Sequence, residues 1–136
     1  MRTELLQWQK QGQFFRYQTY QIFYRDSLTS DKPCLLCIHG FPTSSWDWRY
    51  LWPDLSKNYR VIVLDMLGFG FSDKPQHHDY SVTQQADIIE ALLNKLGISH
   101  YHLVAHDFGT LVAQELLSRL GSAQTHDEAL NRMMSL

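Results

Sequence analysis

The sequence predicts an α/β fold: a mostly parallel sheet with helices on both faces, entered by an antiparallel hairpin. Three observations predict it. Short continuous apolar runs, Cys34 to Ile38, Val61 to Leu64 and Leu103 to Ala105, read as strands buried on both faces. Stretches with helical periodicity separate the runs, and each run ends in a turn-forming group: His39-Gly40, Asp65 or His106-Asp107. Buried strands that alternate with helices pair in parallel, because each crossover returns the chain to the same end of the sheet.

The elements follow in order. Phe14 to Tyr17 and Tyr20 to Arg25 are aromatic-rich and β-prone, and the break near Gln18-Thr19 makes them the opening hairpin. Ser27 to Pro33 is a polar connection to the first buried strand. A helix is expected over about Trp46 to Lys57, disturbed by Pro53. The clearest helix covers Ser81 to Leu96, where Val82, Ala86, Ile89, Leu92, Leu93 and Leu96 recur at helical spacing. Ser81 and Gln84 form a capping box at its start, and Gly97 stands where a left-handed C-terminal residue belongs. A third helix runs from Gly109 to Leu120 and stops at Gly121.

Composition narrows the function. The 136 residues are enough for one core, and 44% hydrophobic against 19% charged residues excludes a disordered or coiled-coil chain. Twelve Lys and Arg against fourteen Asp and Glu give a net charge of −2, so there is no basic field for nucleic acid or an anionic membrane. No run approaches the roughly 18 apolar residues of a membrane span, and Met1 to Lys10 lacks an apolar signal stretch, so the expected location is the cytoplasm. The Cys34-Leu35-Leu36-Cys37 motif lies within a strand, where positions three apart face opposite ways, and there is no second CxxC to complete a zinc site. Both thiols read as core cysteines. His100 with His102, and His77 with His78, have no matched carboxylate or third ligand, so no metal is expected.

In open sheets of this kind ligands bind beyond the carboxyl ends of the strands, which selects His39 to Thr43, Asp65 to Asp73 and Ala105 to Thr110. Ala105-His106-Asp107-Phe108-Gly109 places small residues two before and two after Asp107 at a strand-to-helix junction, the spacing of a nucleophile elbow. The turn is tight enough that its flanking side chains must be small. Aspartate is ionised at neutral pH and, unlike serine, attacks without giving up a proton, which suits displacement at saturated carbon. The same residue also reads as an N-cap for the Gly109 helix. His39-Gly40-Phe41-Pro42 follows another strand end, and there Gly40 lets the backbone turn so that the Phe41 N–H faces the same cleft. With the Phe108 N–H it would form an oxyanion hole.

Three spaced strings, His39-Gly40-Phe41-Pro42-Thr43-Ser44-Ser45-Trp46, Leu64 to Pro75 (LDMLGFGFSDKP) and the Asp107 elbow, resemble the α/β-hydrolase family over about Phe14 to Leu120. Aspartate at the elbow resembles the epoxide hydrolase and haloalkane dehalogenase branch, and the wording is most similar to mesoderm-specific-transcript-like hydrolases. The resemblance implies the N-terminal half of that fold. It also implies a hydrolase without cofactor that opens an epoxide, or displaces a halide or ester leaving group, through an ester on Asp107. Phe41 and Phe108 would supply oxyanion-hole N–H groups, and Trp46, Trp48 and Phe69 would line an apolar cleft for a small apolar substrate. His39, Gly40, Pro42 and Gly109 would shape the two turns.

Two departures from the family follow. Dehalogenases and many epoxide hydrolases carry Trp after the nucleophile, whereas Phe108 has no side-chain donor, which disfavours halide loss unless Trp46 or Trp48 supplies an indole. The family's acid and histidine come late, yet only His126 follows Asp107 and reads as part of a solvated helix start. The expectation is a truncated core, 1–136, that is weak or dead as a catalyst. Its sheet would have an open edge that invites pairing with another chain. Two other classes fit parts of the sequence: a non-catalytic module that keeps the elbow as structure, and a small doubly wound signalling domain acting through Asp65.

Overall fold

The computed structural model describes residues 2–119. Strands β1 (Gln13–Tyr17), β2 (Tyr20–Asp26), β3 (Cys34–Ile38), β4 (Arg60–Leu64) and β5 (His102–Ala105) form one mixed sheet in the order β1-β2-β4-β3-β5. The opening hairpin is antiparallel, with Phe15 opposite Ile22, and β2 pairs antiparallel with β4. The three apolar runs pair in parallel, with β3 between β4 and β5. The chain therefore leaves β3 in one direction to make β4 and returns to its other side to make β5. That reversal opens a crevice past the carboxyl end of β3.

Helix α1 (Arg2–Lys10), which the sequence reading did not anticipate, presents only Trp8 as a buried apolar side chain. The expected Trp46 to Lys57 helix is two pieces, a 3₁₀ turn Ser45–Trp48 and helix α2 (Trp52–Asn58). Pro53 lies in the first turn of α2, where its missing N–H has no partner to lose, so the break falls before it. Helix α3 (Val82–Lys95) has the expected Ser81 cap, with the Gln84 N–H donating to Ser81 Oγ at 3.0 Å. Only half of the capping box forms, because the Gln84 side chain bonds His78 Nε2 instead. Gly97 takes φ +72°, and the Ile98 N–H reaches back to Leu93 O at 2.9 Å, the Schellman closure. Helix α4 (Phe108–Ser118) begins one residue before the expected Gly109, whose predicted stop at Gly121 lies outside the described residues.

Alternation along the strands splits the core into two layers. Ile22, Leu36, Ile38, Ile62 and Leu64 pack against α3 and α4, while Phe23, Leu35, Cys37, Val61 and Val63 pack beneath Trp8, Trp48 and Trp52. Cys34 and Cys37 go to opposite layers, as strand geometry requires, and burial pushes their thiols up to about 11 and about 12. Such thiols stay protonated and inert at neutral pH. No described helix is long and apolar enough to cross a membrane.

Candidate active site

Three turns converge at the crevice. The turn after β3 and the turn after β5 meet at glycines: a Cβ on Gly40 would lie 2.6 Å from Asp107 Cβ, and one on Gly109 would lie 2.4 Å from His39 O. Gly109 after the elbow and Gly40 opposite it are thus required by close approach of the two backbones.

Asp107 sits at φ 56°, ψ −124°, a conformation that costs a non-glycine residue roughly 1–3 kcal/mol. Its side chain is exposed and makes no cap hydrogen bond to α4, although it precedes the first helical residue. That removes the main reason for reading it as an N-cap, since a capping carboxylate accepts an N–H from the first turn. In the first turn of α4 the Gly109 and Thr110 N–H groups donate to His106 O and Asp107 O at 2.9 Å each, and the Phe108 N–H stands ahead of them at the helix start. Phe41 follows Gly40 and is 65% exposed; its ring meets Phe69 edge-on at 5.9 Å. The Phe41–Pro42 peptide is cis.

His39 is fully buried. The Met66 N–H donates to its Nε2 at 3.0 Å, so the ring proton must lie on Nδ1, which donates to Gly40 O at 2.8 Å. Burial holds its pKa below the ordinary 6.5, against the opposing pull of Gly40 O, Asp65 and Asp47. His39 is therefore a neutral brace between two turns.

Asp65 is 1% exposed and both its carboxylate oxygens are engaged, accepting the Ser45 N–H and the Phe71 N–H at 2.8 Å each. Gly70, at φ +55°, allows this, because a Cβ there would lie 2.1 Å from Asp65 Oδ2. A residue so enclosed offers no oxygen to a phosphoryl donor or metal, which overturns the signalling reading of Asp65. Among the described residues no group of three or more His, Cys, Asp or Glu is placed to hold a metal ion.

A cavity of about 350 Å³ opens between these turns, lined by Phe41, Gly68, Phe69, Tyr80, Gln85 and Phe108. The sequence reading named Phe41, Phe69 and Phe108, and the structure brings them together. It does not bring Trp46 there: that ring stacks edge-on against Trp8 at 5.8 Å, on the opposite face of the sheet. Trp48 lines a second hollow with Thr43, Asp47, Leu51, Ala105 and His106. Gly68 falls within the selected Asp65 to Asp73 stretch, whereas Tyr80 and Gln85 were missed. The Gln85 amide spans the Leu67 backbone, accepting its N–H at 3.2 Å and donating to its carbonyl at 2.9 Å, and a glutamine on the apolar stripe of α3 was the available signal. His126 lies outside the described residues.

The family model for the alpha/beta hydrolase fold matches residues 33–136. The chain belongs to that family. It is 50% identical over 117 residues to the human mesoderm-specific transcript homolog protein, covering 82% of this chain and 35% of that one. It is 33% identical over 103 residues to epoxide hydrolase 1 of Caenorhabditis elegans, covering 75% of this chain and 26% of the relative. Among solved structures, a haloalkane dehalogenase loop variant from Bradyrhizobium elkanii superposes with a TM-score of 0.73 at 37% identity, covering 79% of this chain and 36% of its own. The chain thus spans about a quarter to a third of the length of these relatives.

Proposed function

We propose that Asp107 is the nucleophile of an alpha/beta hydrolase that opens a small, mostly apolar epoxide. The observation that carries this reading is an exposed, uncapped aspartate held at positive φ, immediately before Phe108 in the wall of an aromatic cavity. A carboxylate oxygen bonds to one epoxide carbon, the ring C–O bond breaks, and the released alkoxide takes a proton from water. The product is a hydroxyalkyl ester of Asp107. In its hydrolysis the Phe41 and Phe108 N–H groups would hold the oxyanion, each worth about 3 kcal/mol in a dry site. Halide displacement is less well supported, because Phe108 has no side-chain donor and neither Trp46 nor Trp48 lines this cavity.

Within these 136 residues the ester is expected to persist. His39 is buried and bonded at both nitrogens, His106 lines the other hollow, and the only histidine after Asp107 is His126. Mass spectrometry after incubation with styrene oxide tests the proposal. One adduct mapping to Asp107, absent in Asp107→Ala, is expected. An adduct confined to a histidine or to Ser72 would overturn the nucleophile, and steady turnover would overturn the persistence.

A further inference from the structure

Helix α1 lies outside the matched family segment and on the far face of the sheet from the cavity, yet it is bonded into the cleft loops. Trp8 is 5% exposed, and its indole N–H donates to Ser45 Oγ at 3.1 Å. Ser45 is itself 1% exposed, and its backbone N–H donates to Asp65 Oδ1. The other oxygen of Asp65 holds the Phe71 N–H, and Asp65 O accepts the Ser72 hydroxyl at 2.5 Å. Trp8, Ser45, Asp65 and Phe71 therefore run in series from α1 through both cleft turns, with Ser72 as a branch at Asp65 O. One end anchors the 41–46 turn that carries Phe41, and the other anchors the 66–72 turn that carries Phe69. The ring of Trp8 is fixed independently, edge-on to Trp46 and Trp52 at 5.8 and 5.5 Å, with the Arg25 guanidinium 4.2 Å from its centroid.

We infer that α1 positions the two cleft turns through Trp8, Ser45 and Asp65, so that Trp8 is a positioning residue for the site. The alkylation part of the test rests on the Asp107 reading; the coupling itself does not. Hydrogen exchange of backbone amides in the 136-residue chain, followed by NMR, measures the coupling directly. Trp8→Phe keeps an aromatic ring between its neighbours and removes only the donor. It should speed exchange of both the Ser45 and Phe71 amides about fivefold, the scale of one neutral hydrogen bond lost, while Leu36 and Ile62 hold. Trp52→Phe, which weakens the same packing without touching Ser45, should leave the Ser45 and Phe71 amides level with the core.

A uniform rise at all four amides, or a rise at Ser45 with Phe71 unmoved, would overturn the inference. Should Trp8→Phe fail to fold, Ser45→Ala removes the acceptor instead, and the Phe71 amide alone then decides. With styrene oxide, Trp8→Phe should lower the limiting rate of Asp107 alkylation and leave the half-saturating concentration unchanged. A wild-type chain that is never alkylated would sink the nucleophile and leave the exchange pattern to decide the role of α1.

Discussion

Asp65 and Asp107 stand within two residues of the carboxyl ends of β4 and β5, the strands that flank β3, and differ in every physical respect that follows. Asp65 is buried, ordinary in backbone conformation and bonded through both oxygens. Asp107 is exposed, strained and uncapped. A buried carboxylate that accepts a backbone N–H on each oxygen holds the chain together and is closed to an incoming substrate. One held in a strained conformation without such bonds keeps its lone pairs free, and the surrounding fold bears the cost. The residue type and the position at a strand end do not separate the two roles. Burial and bonding do.

The largest expected effect is on the first of the pair. Asp65→Ala leaves the Ser45 and Phe71 N–H groups in a buried junction without acceptors, at about 3 kcal/mol for the two. Urea unfolding should show the loss as a lower midpoint at unchanged slope. A loss under about 1 kcal/mol would mean that water replaces the carboxylate there, and the contrast between the two aspartates would collapse.

The strand ends, the close-packed glycines and the apolar runs were legible because each is written within a few consecutive residues. Ala105 to Gly109 contains its own spacing, and Cys34 to Ile38 its own burial. The cavity wall was only half legible. Tyr80 reaches it because the loop after Asp65 folds back onto the opening hairpin, with the Asp73 N–H donating to Gln21 O at 3.0 Å and the Gln21 N–H to Asp73 Oδ2 at 2.8 Å. That docking joins residues 52 apart, and nothing in either segment announces the other. Trp46 and Trp48 followed a cleft motif and so read as cleft residues. The 3₁₀ turn carries Trp46 to the other side, where α1 awaits it. Helix α1 was invisible for a related reason: with Trp8 its only fully buried apolar side chain, it has no stripe, and its place depends on partners at Arg25, Ser45, Trp46 and Trp52.

A smaller effect of opposite sign is expected at the second aspartate. Asp107→Gly relieves a positive φ that glycine adopts freely, and the lost side chain gives up no cap bond, so stability should rise by about 1 kcal/mol. The same variant should give no styrene oxide adduct. Stability gained as chemistry is lost is the signature of a strained functional residue. A fall in stability would show instead that the Asp107 side chain contributes to the fold as Asp65 does.

The smallest effect sharpens the comparison from the third turn. His39 joins the turn bearing Gly40 to the one bearing Met66 as a neutral ring, and burial lowers its folded pKa below 6.5. A group with a depressed folded pKa contributes stability that is present above its unfolded value and lost as pH falls through the folded one. Here the unfolded chain takes up the proton first, so stability should decline as pH drops below about 6.5. One proton limits the slope to about 1.4 kcal/mol per pH unit, and the interval from pH 7 to 6 samples only its onset. The ring's nitrogen shifts report this without any substitution. They should hold those of the Nδ1–H neutral form to a lower pH than a free imidazole does, with Nε2 accepting the Met66 N–H. A ring that titrates at or above pH 6.5 in the folded chain would place solvent at His39, and the two turns would then be joined by Asp65 and the glycine contacts alone.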